Sequence, residues 1–113
     1  MKRIAMLNCL KANRVCAGAA CLKAFYERTR AFERYGGEDL VLTAYMRCNG
    51  CDHLPDEDPG MQEKLKRLVS ERTDVLHIGR CTILPDAGAE CPVITRAAAI
   101  AEAGGITVVR GTH

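Results

Sequence analysis

Four short apolar runs punctuate the chain, at residues 3–8 (Arg-Ile-Ala-Met-Leu-Asn), 40–45 (Leu-Val-Leu-Thr-Ala-Tyr), 74–78 (Asp-Val-Leu-His-Ile) and 106–110 (Ile-Thr-Val-Val-Arg). Each alternates little between apolar and polar positions, the pattern of a strand buried on both faces. Between them apolar residues recur at helical spacing. Leu22, Phe25, Phe32 and Tyr35 fall at intervals of three, seven and three, which places them on one face of a predicted helix that ends at Gly36-Gly37. A second predicted helix takes Asp58 as its N-cap and Pro59 at its first position, with Met61, Leu65, Leu68 and Val69 as its apolar stripe. A third begins at Pro92, carries Val93, Ala97 and Ile100 inward, and stops at Gly104-Gly105.

Strands apolar on both faces and alternating with helices predict parallel strands joined by right-handed helical crossovers. The expected fold is α/β, a three-layer sandwich around a four-stranded parallel sheet, flavodoxin-like or Rossmann-like. Its expected strand order is 2-1-3-4, the common doubly wound order shortened by one strand. No internal repeat, low-complexity segment or linker interrupts this scheme. The polar stretch from Asp52 to Asp58 reads as a loop.

Length and charge narrow the function classes. A chain of 113 residues is sized for one domain, expected to run over 1–113. With 4% aromatic residues and no Trp its core must be aliphatic. The net charge is +2 and basic residues are scattered among acidic ones, so no basic stripe supports a nucleic-acid partner. No apolar run approaches the roughly 20 residues that span a bilayer, and the N-terminus lacks the features of a signal peptide, so a cytoplasmic location without a membrane partner is expected.

The chemistry lies in cysteine. There are seven, at 9, 16, 21, 48, 51, 81 and 91. At about 6% of the chain they fall below the ~8–10% of small disulfide scaffolds, and their number is odd. In a reducing compartment clustered thiols serve as metal ligands or redox groups. Placed on the predicted scheme, none lies inside a strand: Cys9 follows the first, Cys48 and Cys51 the second, Cys81 the third, and Cys16, Cys21 and Cys91 lie in strand-to-helix connections or at helix starts. Parallel strands bring all these connections to the C-terminal edge of the sheet, where His113 also falls. Thiols that served only as core packing would sit inside strands and helices instead.

Cys48-Asn49-Gly50-Cys51 is the strongest local signal, because two intervening residues let both sulfurs approach one ion. A thioredoxin-like use of the pair is disfavoured by the loop that separates it from the next helix. Adjacent strands lie ~4.8 Å apart, so four strand ends span roughly 14 Å and a single ion cannot recruit the whole edge. Arg47, Arg80 and Arg14 adjoin Cys48, Cys81 and Cys16, and guanidinium groups there would offset a thiolate-rich centre or hold a small anionic ligand. His53, two residues beyond the Cys-x-x-Cys, is a candidate ligand. His77, between Leu76 and Ile78, reads first as a hydrogen-bonded core histidine.

These residues carry a resemblance to the CGGC-domain family, small bacterial and archaeal proteins regarded as metal-binding domains. The matching stretches are Cys16-x-x-x-x-Cys21-Leu22-Lys23-Ala24-Phe25, Ala31-Phe32-Glu33-Arg34-Tyr35, Cys48-Asn49-Gly50-Cys51, Asp74-Val75-Leu76-His77, Cys81, Cys91-Pro92 and Val109-Arg110-Gly111-Thr112-His113. They run in order through nearly the whole chain. Asn49 stands where the family's naming motif has its first glycine, and asparagine tolerates the left-handed turn best among the other residues. The resemblance implies a metal role, with zinc the usual suggestion, and strengthens Cys16, Cys21, Cys48, Cys51, Cys81, Cys91 and His113 as ligands. It also implies that His77 stands behind the ligands as a hydrogen-bond donor.

The reading is therefore a prokaryotic cysteine-rich metal-binding protein whose ligands are drawn from Cys9, Cys16, Cys21, Cys48, Cys51, Cys81, Cys91 and His113, with His53, His77, Arg47 and Arg80 in supporting positions. Zinc suits mixed Cys/His ligation, and an iron–sulfur cluster suits four or more thiolates. The competing readings are a thiol-dependent redox enzyme using Cys48 and Cys51, and a carrier of soft metals or oxyanions.

Overall fold

The computed structural model describes residues 1–113. Its strands are β1 (Lys2–Asn8), β2 (Leu40–Arg47), β3 (Val75–Ile78) and β4 (Thr107–Arg110), and its helices are α1 (Ala19–Glu27), α2 (Pro59–Ser70) and α3 (Pro92–Ala103). All strand pairs are parallel and the sheet order is β2-β1-β3-β4, as the pattern predicts. The helices pack on both faces. Ala5, Leu7, Leu76 and Ile78 face α2 and α3, which contribute Met61, Leu65, Leu68, Val93, Ile94, Ala97, Ala98 and Ala101. Ile4, Met6 and Val75 face α1 and the segment after it, with Cys21, Ala24, Phe25, Phe32 and Tyr35.

Helix α2 starts as its sequence dictates: the Asp58 carboxylate accepts the Gly60 and Met61 N–H groups and Pro59 occupies the first turn. Val69, counted in its stripe, is 45% exposed, so the inner face is Met61, Leu65 and Leu68. The first predicted helix is two elements. Helix α1 ends at Arg28 in the left-handed region, and a 3-10 segment, Arg30–Tyr35, follows after a second left-handed residue, Arg30. The inner face of α1 is formed by Cys21, Ala24 and Phe25, and Leu22 is only partly buried. The seven-residue interval from Phe25 to Phe32 fits an unbroken helix equally well; what decides is that the turn brings the two rings edge-on at 5.4 Å.

One irregularity positions the site. The β1–β2 register shifts after Ile4, which pairs with Leu42, so that Ala5 pairs with Ala44 and Thr43 is the extra residue. Its hydroxyl donates to the Ile4 carbonyl at 3.1 Å. A bulge reverses which face each later residue takes. Leu40 and Leu42 pack in the α1 layer; beyond the bulge Ala44, Met46 and Cys48 pack in the α2/α3 layer and Tyr45 is turned toward α1.

Candidate metal centre

The connections that leave β1, β2 and β3, and the residues that follow β4, all emerge at one edge of the sheet. All seven cysteines are there, and all are free thiols. Strands β1 and β3 are neighbours whose chains depart to opposite layers, so their ends form the switch point at which open α/β sheets bind ligands. Cys9 and Cys81 meet at it: the Cys9 N–H donates to Cys81 Sγ at 3.2 Å. The Cys81 thiol faces the Asn8 side-chain oxygen at 3.8 Å. Gly79 makes this approach feasible, since a Cβ there would collide with Asn8 Oδ1 and crowd Cys81 Sγ.

From this point the thiols divide between the two layers. Cys48 is buried in the α2/α3 cluster, its sulfur accepting the Leu10 N–H at 3.4 Å, and Cys91, the residue before α3, packs against the same cluster. Cys21 is buried in the α1 layer, its sulfur 3.2 Å from Thr112 Oγ1 and 3.5 Å from His113 Nδ1. Cys16 is exposed just before α1, and its sulfur accepts the Gly18 N–H at 3.4 Å. Cys51 is exposed in the loop after β2. Three of the seven sulfurs thus accept a backbone N–H.

Tyr45 reaches into the α1-side group. Its hydroxyl is the single buried side-chain nitrogen or oxygen without a hydrogen-bond partner, an omission that costs about 1–3 kcal/mol. Burial raises its pKa above the ordinary 10.0, and the thiols of Cys21, Cys16 and Cys81 raise it further, while Arg47 opposes them. The Cys81 thiol is likewise pushed up, first by burial and then by Cys9, Cys21 and Cys16, with the Cys9 amide acting in the opposite direction. These four thiols and the Tyr45 hydroxyl therefore share one neighbourhood. A divalent cation among thiols favours their anionic, metal-binding form. Thiolate sulfur is the donor type that soft metals prefer. No three cysteine, histidine or carboxylate side chains stand close enough to hold one ion between them, so the eight predicted ligands are not drawn into a single group.

The supporting residues are placed as follows. His77 is fully buried and stacks on Phe32 at 4.4 Å. The Gly111 carbonyl can only accept, so His77 Nδ1 carries the proton and donates to it at 2.8 Å, while Nε2 accepts from the Tyr35 hydroxyl at 2.6 Å. Both ring nitrogens are occupied, and the histidine holds the Gly111–His113 segment against the sheet rather than facing the thiols. His53 is exposed near Asp58. Arg47 donates to Asn13 Oδ1 at 2.6 Å and so ties the end of β2 to the loop after β1. Arg80 is exposed at the end of β3, near Glu90 and Arg110.

A family model, described as CGGC domain, matches residues 3–113. The chain belongs to the CGGC domain family. It is also 33% identical, over 98% of its own length and 86% of the relative's, to an uncharacterized protein of Methanocaldococcus jannaschii. No solved structure matches it. Within the CGGC motif region, Asn49 has a use that glycine could not serve: its Nδ2 donates to the Asp58 carboxylate at 3.2 Å and its Oδ1 accepts from Lys64 at 2.7 Å. The Cys48–Cys51 loop of this CGGC domain is thereby pinned to the start of α2, and the next residue, Gly50, takes the left-handed turn at φ +105°.

Sequence reasoning did not single out Tyr45, Gly18, Asn8, Gly79 or Thr112. Tyr45 was one apolar position of a strand, and the signal that could have raised it is its polar tip near a strand end, three residues before Cys48. Gly18 is left-handed, at φ +78°, and a Cβ on it would run into the Tyr45 hydroxyl. Gly18→Ala is therefore expected to lower stability by about 1–3 kcal/mol in chemical denaturation. Wild-type stability in that variant would mean that the tyrosine is not held beneath this turn.

Proposed function

We propose that this CGGC domain, residues 1–113, binds a soft metal through cysteine thiolates at the C-terminal edge of its sheet, with zinc the first candidate and an iron–sulfur cluster the second. The observation that carries the reading is the gathering of seven free thiols at one edge of the sheet, with the Cys9 N–H against Cys81 Sγ at the switch point. Seven thiols exceed the four that a tetrahedral ion takes. The contact of Cys9 with Cys81, and Cys16 and Cys21 on the α1 side, support these four as the ion's donors, with His113 beside Cys21, while packing in the α2/α3 cluster supports Cys48 and Cys91 as packing residues. Binding would require the loops after β1 and β3 to bring these sulfurs closer together. A reducing prokaryotic cytoplasm would keep the thiols available. When bound through protein ligands alone the metal supplies a structural or metal-handling centre, and with an open position it supplies a Lewis acid. The groove beside Lys11, Arg14 and Cys51 supports a small anion as a second ligand.

Anaerobic purification followed by elemental analysis and a visible spectrum tests the reading. Stoichiometric zinc without colour, or iron with visible charge-transfer absorption, is expected. Substoichiometric metal, together with unchanged folding after chelation, would sink it.

A further inference from the structure

We propose that Cys9 and Cys81 form a reversible disulfide across the ends of β1 and β3, a redox-sensitive bond that closes the switch point and withdraws two donors from the metal site. The bond itself is independent of the metal reading above; only its effect on the site rests on that reading.

Geometry singles out this pair. Strands β1 and β3 are paired up to Leu7 and Ile78, and the Gly79 N–H continues the ladder onto the Leu7 carbonyl at 3.0 Å. The two cysteines follow directly. The Cys81 sulfur lies across the end of β1, 3.2 Å from the Cys9 nitrogen and 3.8 Å from the Asn8 side-chain oxygen. With an N–Cα bond of ~1.46 Å, the Cys9 Cα is no more than ~4.7 Å from that sulfur. Bridged cysteines hold their Cα atoms roughly 4.4–6.8 Å apart, so the bridge asks for side-chain rotation and little backbone movement. Gly79 leaves the room for it, since a Cβ there would stand 3.4 Å from the Cys81 sulfur.

The pairs that are closer in sequence are less available. Cys48 is buried in the α2/α3 cluster with its sulfur on the Leu10 N–H, and Cys51 stands exposed in a loop that Asn49 pins to Asp58 and Lys64. Cys21 is buried with its sulfur against Thr112 Oγ1 and His113 Nδ1, while Cys16 is exposed. One thiol of each of these pairs is closed to a reagent. Cys9 and Cys81 are both half-buried, so a small oxidant reaches either.

In a reducing compartment such bonds are transient and redox-sensing. The oxidant is a low-molecular-weight disulfide, RSSR. One cysteine loses its proton to solvent, attacks RSSR and expels RS−, which is protonated; a mixed disulfide remains on the protein. The second cysteine, likewise deprotonated, attacks the first cysteine's sulfur and expels the second RS−. Two protein thiols are oxidised, one RSSR is reduced and two RSH leave. Excess RSH reverses both steps. Once bridged, neither sulfur is a thiolate, the form in which cysteine binds metal.

The test equilibrates the chelator-treated full chain in a buffer of reduced and oxidised glutathione, quenches in acid, alkylates the free thiols and maps linkages by tandem mass spectrometry, once folded and once in urea. The folded protein is expected to lose two free thiols to a Cys9–Cys81 linkage. In the unfolded chain these residues are 72 apart, so loop closure favours Cys48–Cys51 and Cys16–Cys21 instead. Cys9→Ser and Cys81→Ser should each abolish the internal bond of the folded protein, and Cys51→Ser should retain it; the wild-type map decides if a serine variant fails to fold. A folded protein linked mainly through Cys48–Cys51 or Cys16–Cys21, or carrying only mixed disulfides with glutathione, overturns the inference. Competition titration with Zn2+ then reads the effect on the site. The oxidised form is expected to bind zinc more than ~100-fold more weakly than the reduced form, beyond what loss of a hydrogen bond to a ligand produces. Equal zinc affinity in the two forms overturns that effect. No zinc uptake by the reduced form overturns the metal reading and the effect with it, and leaves the bond standing.

Discussion

His77→Phe is expected to destabilise the protein by about 2–5 kcal/mol, because it strands two partners at once. Phenylalanine retains the stacking on Phe32 but leaves the Tyr35 hydroxyl and the Gly111 carbonyl unpaired. The loss should also loosen the Gly111–His113 segment, so that Cys21, 4% exposed and covered by Thr112, reacts faster with a thiol reagent. The same residue carries a pH dependence. Its pKa is lowered from the ordinary 6.5, first by burial and secondarily by Arg34, against the opposing Gly111 hydrogen bond. The unfolded chain then binds the proton more readily than the folded one. Stability is complete above the unfolded value near 6.5 and falls as pH drops below it toward the folded value, at up to about 1.4 kcal/mol per pH unit. Denaturation midpoints between pH 7 and pH 5 would show this slope in wild type and a flatter one in His77→Phe. Equal slopes in the two proteins would remove His77 as its source.

The other large effect concerns the thiols. Cys21→Ser and Cys81→Ser are each expected to weaken metal binding by more than the ~100-fold that removing a neighbouring hydrogen-bond donor costs. Serine can keep the hydrogen bond of position 21 to Thr112, so the fold should survive the change. Cys91→Ser, at a site packed against the α2/α3 cluster, is expected to alter affinity by less than about threefold, within what a small packing change produces. Competition titration against a chromogenic chelator ranks the three variants. If Cys91→Ser loses as much as Cys81→Ser, the division of the thiols between layers does not describe the ligand set.

Much of the fold was legible because its cues are local. The strands are runs too apolar to face water on either side, and the cap of α2 is written as Asp58-Pro59. The stop of α3 is written as Gly104-Gly105. Parallel connectivity then follows from the alternation of elements, and it brings the strand ends, with their cysteines, to one edge. The break after α1 was not legible, since Phe25 and Phe32 suit both a continuous helix and two segments that fold back; the left-handed Arg28 and Arg30 carry no residue-type signature of it.

The candidate site divides in the same way. While the contact of Cys9 with Cys81 came from the fold, sequence by itself determined the parallel alternation of strands and helices and the edge at which the thiols gather. It gave most weight to Cys48 and Cys51, because a Cys-x-x-Cys is visible without knowing which way a strand faces. Tertiary structure alone decided the facing. With a regular β2, Tyr45 would lie in the α2/α3 layer and Cys48 would join Cys21 beneath α1; the extra residue at Thr43 exchanges them. A strand's side chains alternate strictly, so one inserted residue redirects all that follow, and nothing in Leu-Val-Leu-Thr-Ala-Tyr marks where the insertion falls until the neighbouring strand supplies the register.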